Sequence, residues 1–229
     1  FFTHITHELC TPLTLINGVE NYIQAYAATS KDKTLEKYTS VLRENVEELN
    51  GLIQEILDFR KAEDAGFSHT HIRRVSVSSL LRTQFEWFYP LSEQHQIQFK
   101  IDAPKELYWN TDSVYFKKIL ANLISNAFKY TEDGGTVRIS LHEEENFLVL
   151  KVYNTGKGIE EADMQNIFDR YRILGTMDND DNRQNTARNG LGLFICHSLV
   201  QSLGGKIDIE SEVGQYAEFT VTLPFGIVE

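Results

Sequence analysis

Cysteine is scarce. Cys10 and Cys196 are the only two in 229 residues. They supply neither a disulfide framework nor a zinc cluster, so a reducing setting is expected. Basic residues are also outnumbered: 22 Lys and Arg stand against 33 Asp and Glu, a formal charge of −11. That field repels phosphate and argues against nucleic acid as a partner. Any phosphate-bearing ligand then needs local help from a metal, a lysine or backbone amides. No apolar run reaches membrane-spanning length, and no signal peptide is visible. The chain begins on Phe1 rather than Met. We therefore expect a fragment, with any membrane segment lying outside this chain.

Proline and glycine are rare in the first 64 residues, with Pro12, Gly18 and Gly51 the only ones. Hydrophobic residues there keep a heptad rhythm. Ile5, Leu9, Pro12, Ile16, Val19 and Ile23 alternate four and three apart, and Leu35, Tyr38, Leu42, Asn45, Leu49, Leu52, Ile56 and Phe59 do the same. The polar stretch "AATSKDK" separates the two runs. The pattern predicts a helical hairpin with a coiled-coil-like seam. Two such helices do not close a core, so a homodimeric four-helix bundle is expected.

From about residue 70 the period shortens. "HIRRVSV", "QIQFKIDA", "GTVRISL", "FLVLKVY", "KIDIES" and "EFTVTLP" alternate as strands do, the third and fourth joined by a "HEEEN" turn. Helical stretches fall near 77–95, 112–130, 160–168 and 190–203. This is an α+β chain: a hairpin over 1–66, then an α/β sandwich with a mixed sheet over 70–229. Residues 174–189 have neither period and read as a long loop.

His7 lies off the seam, on a polar stripe with His4, Thr11, Thr14 and Gly18. An exposed neutral imidazole is a nucleophile, and Glu8 can hold one ring nitrogen protonated while the other attacks. Pro12 has no N–H for the carbonyl of Glu8, so the helix should bend beside His7. A solvated surface histidine is the bland alternative. Metal binding by His4 and His7 would supply two ligands, too few for a closed site.

Further on, Asn122, Asn126 and Lys129 repeat at i, i+4 and i+7 on one helix face. Amide oxygens suit a hard Mg²⁺, and an ammonium suits phosphate. Gly156 and Gly158 allow close backbone approach. Gly190 and Gly192 precede a helix whose N-terminus can receive phosphate oxygens. Each of these has an ordinary reading too, as helix-surface polar residues or simple turns.

Together the residues resemble a family. "HELCTPL" is similar to the phosphoacceptor box of sensor histidine kinases, "NLISNAFKYT" (122–131) to the N box and "NTGKGI" (154–159) to the first glycine box. "IFDRY" (167–171) resembles the F box, and "NGLGLFI" (189–195) the second glycine box. The wording of "SNAFKYT" and "LTLI" is most similar to the kinase core of hybrid two-component sensors. The resemblance implies a dimerisation and phosphotransfer hairpin followed by a Bergerat-type ATP-binding domain. It implies transfer of the γ-phosphoryl of ATP, with Mg²⁺, to His7, then to an aspartate of a response-regulator receiver domain. Glu8 and Thr11 would assist, Thr11 by positioning water in a phosphatase reaction. Asn126 would be the Mg²⁺ ligand and Lys129 a phosphate contact. Asn122, Tyr130, Asn154, Gly156, Gly158, Ile159, Gly190, Leu191, Gly192 and Leu193 would line the nucleotide. Arg170 and Arg172 would neutralise the γ-phosphate, and Phe168 and Tyr171 would anchor the lid.

The chain departs from the pattern at four places. Cys10 replaces a basic residue beside the phosphoacceptor, and Arg188 the first glycine of the second glycine box. Asn154 replaces the aspartate that accepts from the adenine amino group. Tyr216 and Ala217 replace a glycine-threonine pair whose threonine holds a water at that aspartate. Asn154 can still accept from the amino group and donate to a ring nitrogen, but a neutral bond is weaker, so loose ATP binding is expected. The alternatives are a degenerate kinase acting as a phosphatase or conformational scaffold, and an ATPase or serine kinase of the same fold.

Overall fold

The computed structural model describes residues 70–164, 166–168 and 192–227. It also describes isolated helical positions at Ile16, Gly18, Val19, Ile23, Tyr26, Leu35, Thr39, Leu42, Arg43 and Val46. The bend at Pro12, the 174–189 loop, Cys10, Tyr171 and Arg188 lie outside the described residues. The chain divides into two units, and the fold below is that of the larger, Phe67–Thr176 with Gly190–Glu229.

Strands β1 (Arg73–Ser76) and β3 (Tyr108–Thr111) form an antiparallel pair. The main sheet has the order β2-β4-β5-β7-β6, with β2 (Gln98–Asp102), β4 (Thr136–Glu144), β5 (Phe147–Thr155), β6 (Lys206–Glu212) and β7 (Tyr216–Pro224). The β2–β4 ladder is parallel and the others are antiparallel, so the sheet is mixed as the sequence predicts. The "HEEEN" segment turns more tightly than expected. Strand β4 runs on to Glu144, and only Glu145 and Asn146 make the turn, both at positive φ (49° and 67°). Two such residues give the twist that matches paired strands.

One face of the sheet is apolar. Val137, Ile139 and Leu141 on β4, Leu148, Leu150 and Val152 on β5, and Phe219, Val221 and Leu223 on β7 are buried there. Helices cover it. Helix α1 (Val77–Gln94) contributes Val77 and Leu81. Helix α2 (Ser113–Tyr130) buries Phe116, Ile119, Leu120, Leu123, Ile124, Ala127 and Phe128, a stripe at helical spacing. A one-turn helix α3 (Glu161–Met164) stands where a helix over 160–168 was expected. Beyond it Asn166 bonds back to the carbonyl of Asp163, and Phe168 packs on His197 and Phe219, which ends the helix. Helix α4 (Gly192–Ser202) packs against α2. Its Cys196 is fully buried, and burial pushes the thiol well above its ordinary range, so the cysteine is a core residue.

The other face of the sheet is polar. Arg138 sits over the Tyr153 ring, which stacks on Tyr216. Tyr216 donates its hydroxyl proton to Glu210 (2.9 Å), which raises the phenol above its usual range. The departure at Tyr216 therefore builds a ladder on the solvated side, away from the core.

Strand β3 is absent from the sequence reading. Its four residues are too short for a clear alternation, and its partner β1 is remote in sequence. Among the described residues no helix is long and apolar enough to cross a membrane.

Candidate functional site

Helix α2 is fixed at its start by Asp112, whose Oδ1 accepts from the N–H groups of Val114 and Tyr115 (2.8 and 3.1 Å). The apolar stripe then sets its rotation. The face left over carries Asn122 and Asn126, both half-buried, and near the C-terminal end Lys129 and Tyr130, both exposed. The Lys129 ammonium lies 5.9 Å from the centre of the Tyr130 ring.

The 154–159 segment comes next. Asn154 is the last inward-facing residue of β5 and is 5% exposed. Its Nδ2 donates to the carbonyl of Thr155 (3.1 Å). That bond engages one of the two amide N–H groups and leaves the second for a ring nitrogen, as expected of an asparagine here. The Oδ1 accepts no bond among the described residues, so the amide presents an acceptor. Ala217 faces Asn154 directly across the β5–β7 ladder. The two departures from the family pattern are neighbours on the inner face.

Gly156 and Gly158 have a role that the sequence does not disclose. A Cβ on Gly156 would strike the carbonyl oxygen of Tyr130, and one on Gly158 the carbonyl oxygen of Glu212. The close approach they permit is thus to the chain's own backbone, and Gly158 also needs its positive φ of 65°. The segment is laced to the β6–β7 turn. Gly156 N–H donates to the carbonyl of Gln215 (3.1 Å), Gly214 N–H to that of Lys157 (2.7 Å), and Ile159 N–H to Ser211 Oγ (2.9 Å).

Gly192 lies within α4 rather than ahead of it. A Cβ there would lie 3.4 Å from Asn122 Oδ1, so the start of α4 abuts the polar face of α2. Leu193 is half-buried in the same turn. Of the expected site residues, then, Asn122 meets Gly192, Gly156 meets Tyr130, and Asn154 meets Ala217. His7, Glu8, Thr11, Arg170, Arg172, Gly190 and Leu191 lie outside the described residues. Ser211 and Gln215, which brace the 154–159 segment, were missed by sequence reasoning. Ser211 lies near the end of β6 and Gln215 in the turn that follows, and neither carries a chemical signature.

This architecture is matched by known families. A family model described as "Histidine kinase-, DNA gyrase B-, and HSP90-like ATPase" matches residues 111–227, more than half of the chain. A second, "His Kinase A (phospho-acceptor) domain", matches residues 1–65. The chain belongs to the sensor histidine kinases. It is similar to sensor protein SrrB of Staphylococcus aureus (strain NCTC 8325 / PS 47), 30% identical over 224 residues. That match takes in 98% of this chain but 37% of the relative, so the kinase core spans well under half the length of such relatives. Two solved structures share the fold. One is full-length ShkA in complex with AMPPNP, at TM-score 0.76, 24% identity, 98% of this chain and 45% of that one. The other is histidine kinase ThkA in complex with response regulator protein TrrA, at TM-score 0.66, 22% identity, 98% of this chain and 61% of that one.

The kinase core therefore contains an ATP-binding domain of this family. Among the described residues no three His, Cys, Asp or Glu side chains are grouped to cage a metal. The half-buried amide of Asn126 fits a Mg²⁺ that keeps waters and phosphate oxygens as its other ligands.

Proposed function

We propose that residues 1–66 form a homodimeric phosphoacceptor hairpin and residues 70–229 an ATP-binding catalytic domain. The kinase moves the γ-phosphoryl of ATP to His7. An imidazole nitrogen of His7 forms the N–P bond, the bond from phosphorus to the bridging oxygen breaks, and ADP leaves with that electron pair. Glu8 holds the other ring nitrogen protonated, which orients the attacking lone pair. Asn126 would hold Mg²⁺, which would supply charge neutralisation at the phosphates, and Lys129 would contact a phosphate. Asn122, Tyr130, Asn154, Gly156, Gly158, Ile159, Gly190, Leu191, Gly192 and Leu193 line the nucleotide, and Arg170 and Arg172 neutralise the γ-phosphate. The phosphoryl group then passes to an aspartate of a response-regulator receiver domain, and in a separate phosphatase reaction Thr11 positions the water that hydrolyses the aspartyl phosphate to aspartate and inorganic phosphate. The whole protein is a membrane-bound sensor, with this portion in the cytoplasm.

The observation that carries the reading is Asn154: an almost buried amide with its oxygen uncommitted, next to the 156–158 glycine segment and the end of α2. That oxygen suits an exocyclic amino group. Dimerisation is supported by Ile16, Val19, Tyr26 and Leu42, which follow the heptad spacing closely and are exposed in the single chain. The amino acid at 154 also favours a second reading. A neutral acceptor holds adenine less firmly than a carboxylate, which suits a phosphatase or conformational scaffold.

Incubation with γ-labelled ATP and Mg²⁺ separates the two. Acid-labile, alkali-stable label that disappears in His7→Gln, with the dimer intact, is the expected result. Label that persists in His7→Gln and is lost in His4→Gln would move the acceptor. Absence of any label would leave the phosphatase or scaffold.

A further inference from the structure

The segment "YWNTD" (108–112) packs far more chemistry than four strand residues and a helix cap require. On one edge β3 pairs with β1, the strand by which the chain enters this unit, with Arg73 opposite Thr111 and Ser76 opposite Tyr108. Arg74 lies 5.2 Å over the Tyr108 ring and fastens the pair on its outer side. At the end of β3 the caps converge. Asp112 uses Oδ1 to hold the start of α2 and Oδ2 to accept the N–H of His71 (2.8 Å), just ahead of β1.

The C-terminal segment also fastens to β3. Gly226 N–H donates to the carbonyl of Asn110, and Asn110 Nδ2 donates back to the carbonyl of Gly226, both at 3.1 Å. Trp109 Nε1 donates to the carbonyl of Pro224 (3.0 Å), and the Trp109 and Phe225 rings meet edge to face at 4.9 Å. Gly226 completes the contact with the entering segment. A Cβ there would lie 2.6 Å from the Asn110 carbonyl oxygen and 2.8 Å from Ile72 Cγ2. Only a glycine lets the tail slip between Asn110 and Ile72.

We propose that β3 is a common mount, clasping the entering segment 71–76 and the leaving segment 224–227 so that each stabilises the other. The two ends of the unit are thereby coupled through Asn110, Trp109 and Asp112, a route separate from the 154–159 segment. The coupling is local, because the participating hydrogen bonds are few and all join residues of these three segments.

Hydrogen exchange of the 229-residue chain tests this with substitutions in the tail and readout in the entering strand. Phe225→Ala removes the ring contact without adding bulk, and Gly226→Ala drives a methyl against Asn110 and Ile72. Both should make the amides of Arg73–Ser76 exchange roughly tenfold faster. Those of Leu148–Val152 and binding of a non-hydrolysable ATP analogue should stay at wild-type values. The reciprocal change, Ile72→Ala, should speed exchange of the Gly226 amide. Wild-type exchange at Arg73–Ser76 in Phe225→Ala, with faster exchange confined to 224–227, would overturn the proposal. Should Gly226→Ala fail to fold, Phe225→Ala and Ile72→Ala decide the matter alone.

Discussion

Helix α2 and the 154–159 segment meet where Gly156 passes the carbonyl of Tyr130, yet they are held by different forces. The helix is held by volume. Seven apolar side chains from Phe116 to Phe128 are buried on one stripe, and Asn122 and Asn126 ride on the opposite face. The segment buries few apolar side chains. It is held by backbone hydrogen bonds to Gly214 and Gln215, by the Ser211 hydroxyl at the end of β6, and by glycines that let carbonyl oxygens come close. Apolar packing is distributed and tolerates local loss. A close backbone approach concentrates its requirement at a single atom.

The largest effect should come from the helix. Leu123 is fully buried, and Leu123→Ala removes apolar area and leaves a cavity, costing about 3 kcal/mol of stability. Because the packing is shared among neighbours, the folded fraction should bind ATP with near-wild-type affinity. Denaturant unfolding and calorimetric titration of the same sample check both parts. A proportionate loss of affinity would show that the face with Asn122 and Asn126 moves when its apolar back is thinned.

Gly158→Ala should cost less stability, about 2 kcal/mol, and more function. Alanine disfavours φ of 65°, and its methyl group meets the Glu212 carbonyl. The segment can relieve that contact only by shifting, which carries Asn154 and Gly156 with it. ATP affinity should fall by at least tenfold. Titration showing unchanged affinity in a destabilised variant would mean that the segment's position is immaterial to nucleotide binding.

What the sequence discloses follows the same division. The stripe of α2 spans 18 residues and repeats at helical spacing, so both the helix and its polar face are legible. The strands β4, β5 and β7 are nine residues long, with buried apolar residues at every second position of their middle stretches, and are equally plain. Strand β3 is not, because a four-residue strand has no period to read and its pairing depends on a distant partner. The glycines are half-legible. Their spacing marks a close approach, but nothing local says whether a ligand or the chain's own backbone fills the space. The structure gives the backbone: Tyr130 for Gly156 and Glu212 for Gly158. Asn154 teaches a similar limit. Its type predicts two N–H donors and an acceptor oxygen, and only the neighbouring Thr155 carbonyl shows where one of the donors goes.

The smallest effect concerns that amide. Asn154→Asp makes the acceptor charged, and a charge-assisted bond to an amino group is stronger by on the order of 1 kcal/mol, or roughly fivefold in affinity. The same change deletes the donor to the Thr155 carbonyl and leaves two oxygens about as close as the present 3.1 Å contact. The carboxylate is repelled there and is also almost buried, so stability should drop even as ATP binding tightens. Ala217→Thr supplies a hydroxyl from the residue directly opposite on β7. Alone it has only a neutral amide to serve and should change little. Added to Asn154→Asp, it can donate to the new carboxylate or hold a water for it, recovering stability and further improving affinity. Residues in contact couple, so the double variant should exceed the sum of the singles. Titration and thermal unfolding of all four proteins measure that coupling. Strict additivity would show that Asn154 and Ala217, though paired in register, act on the nucleotide independently, and that the close backbone contacts already set the geometry of this pocket without them.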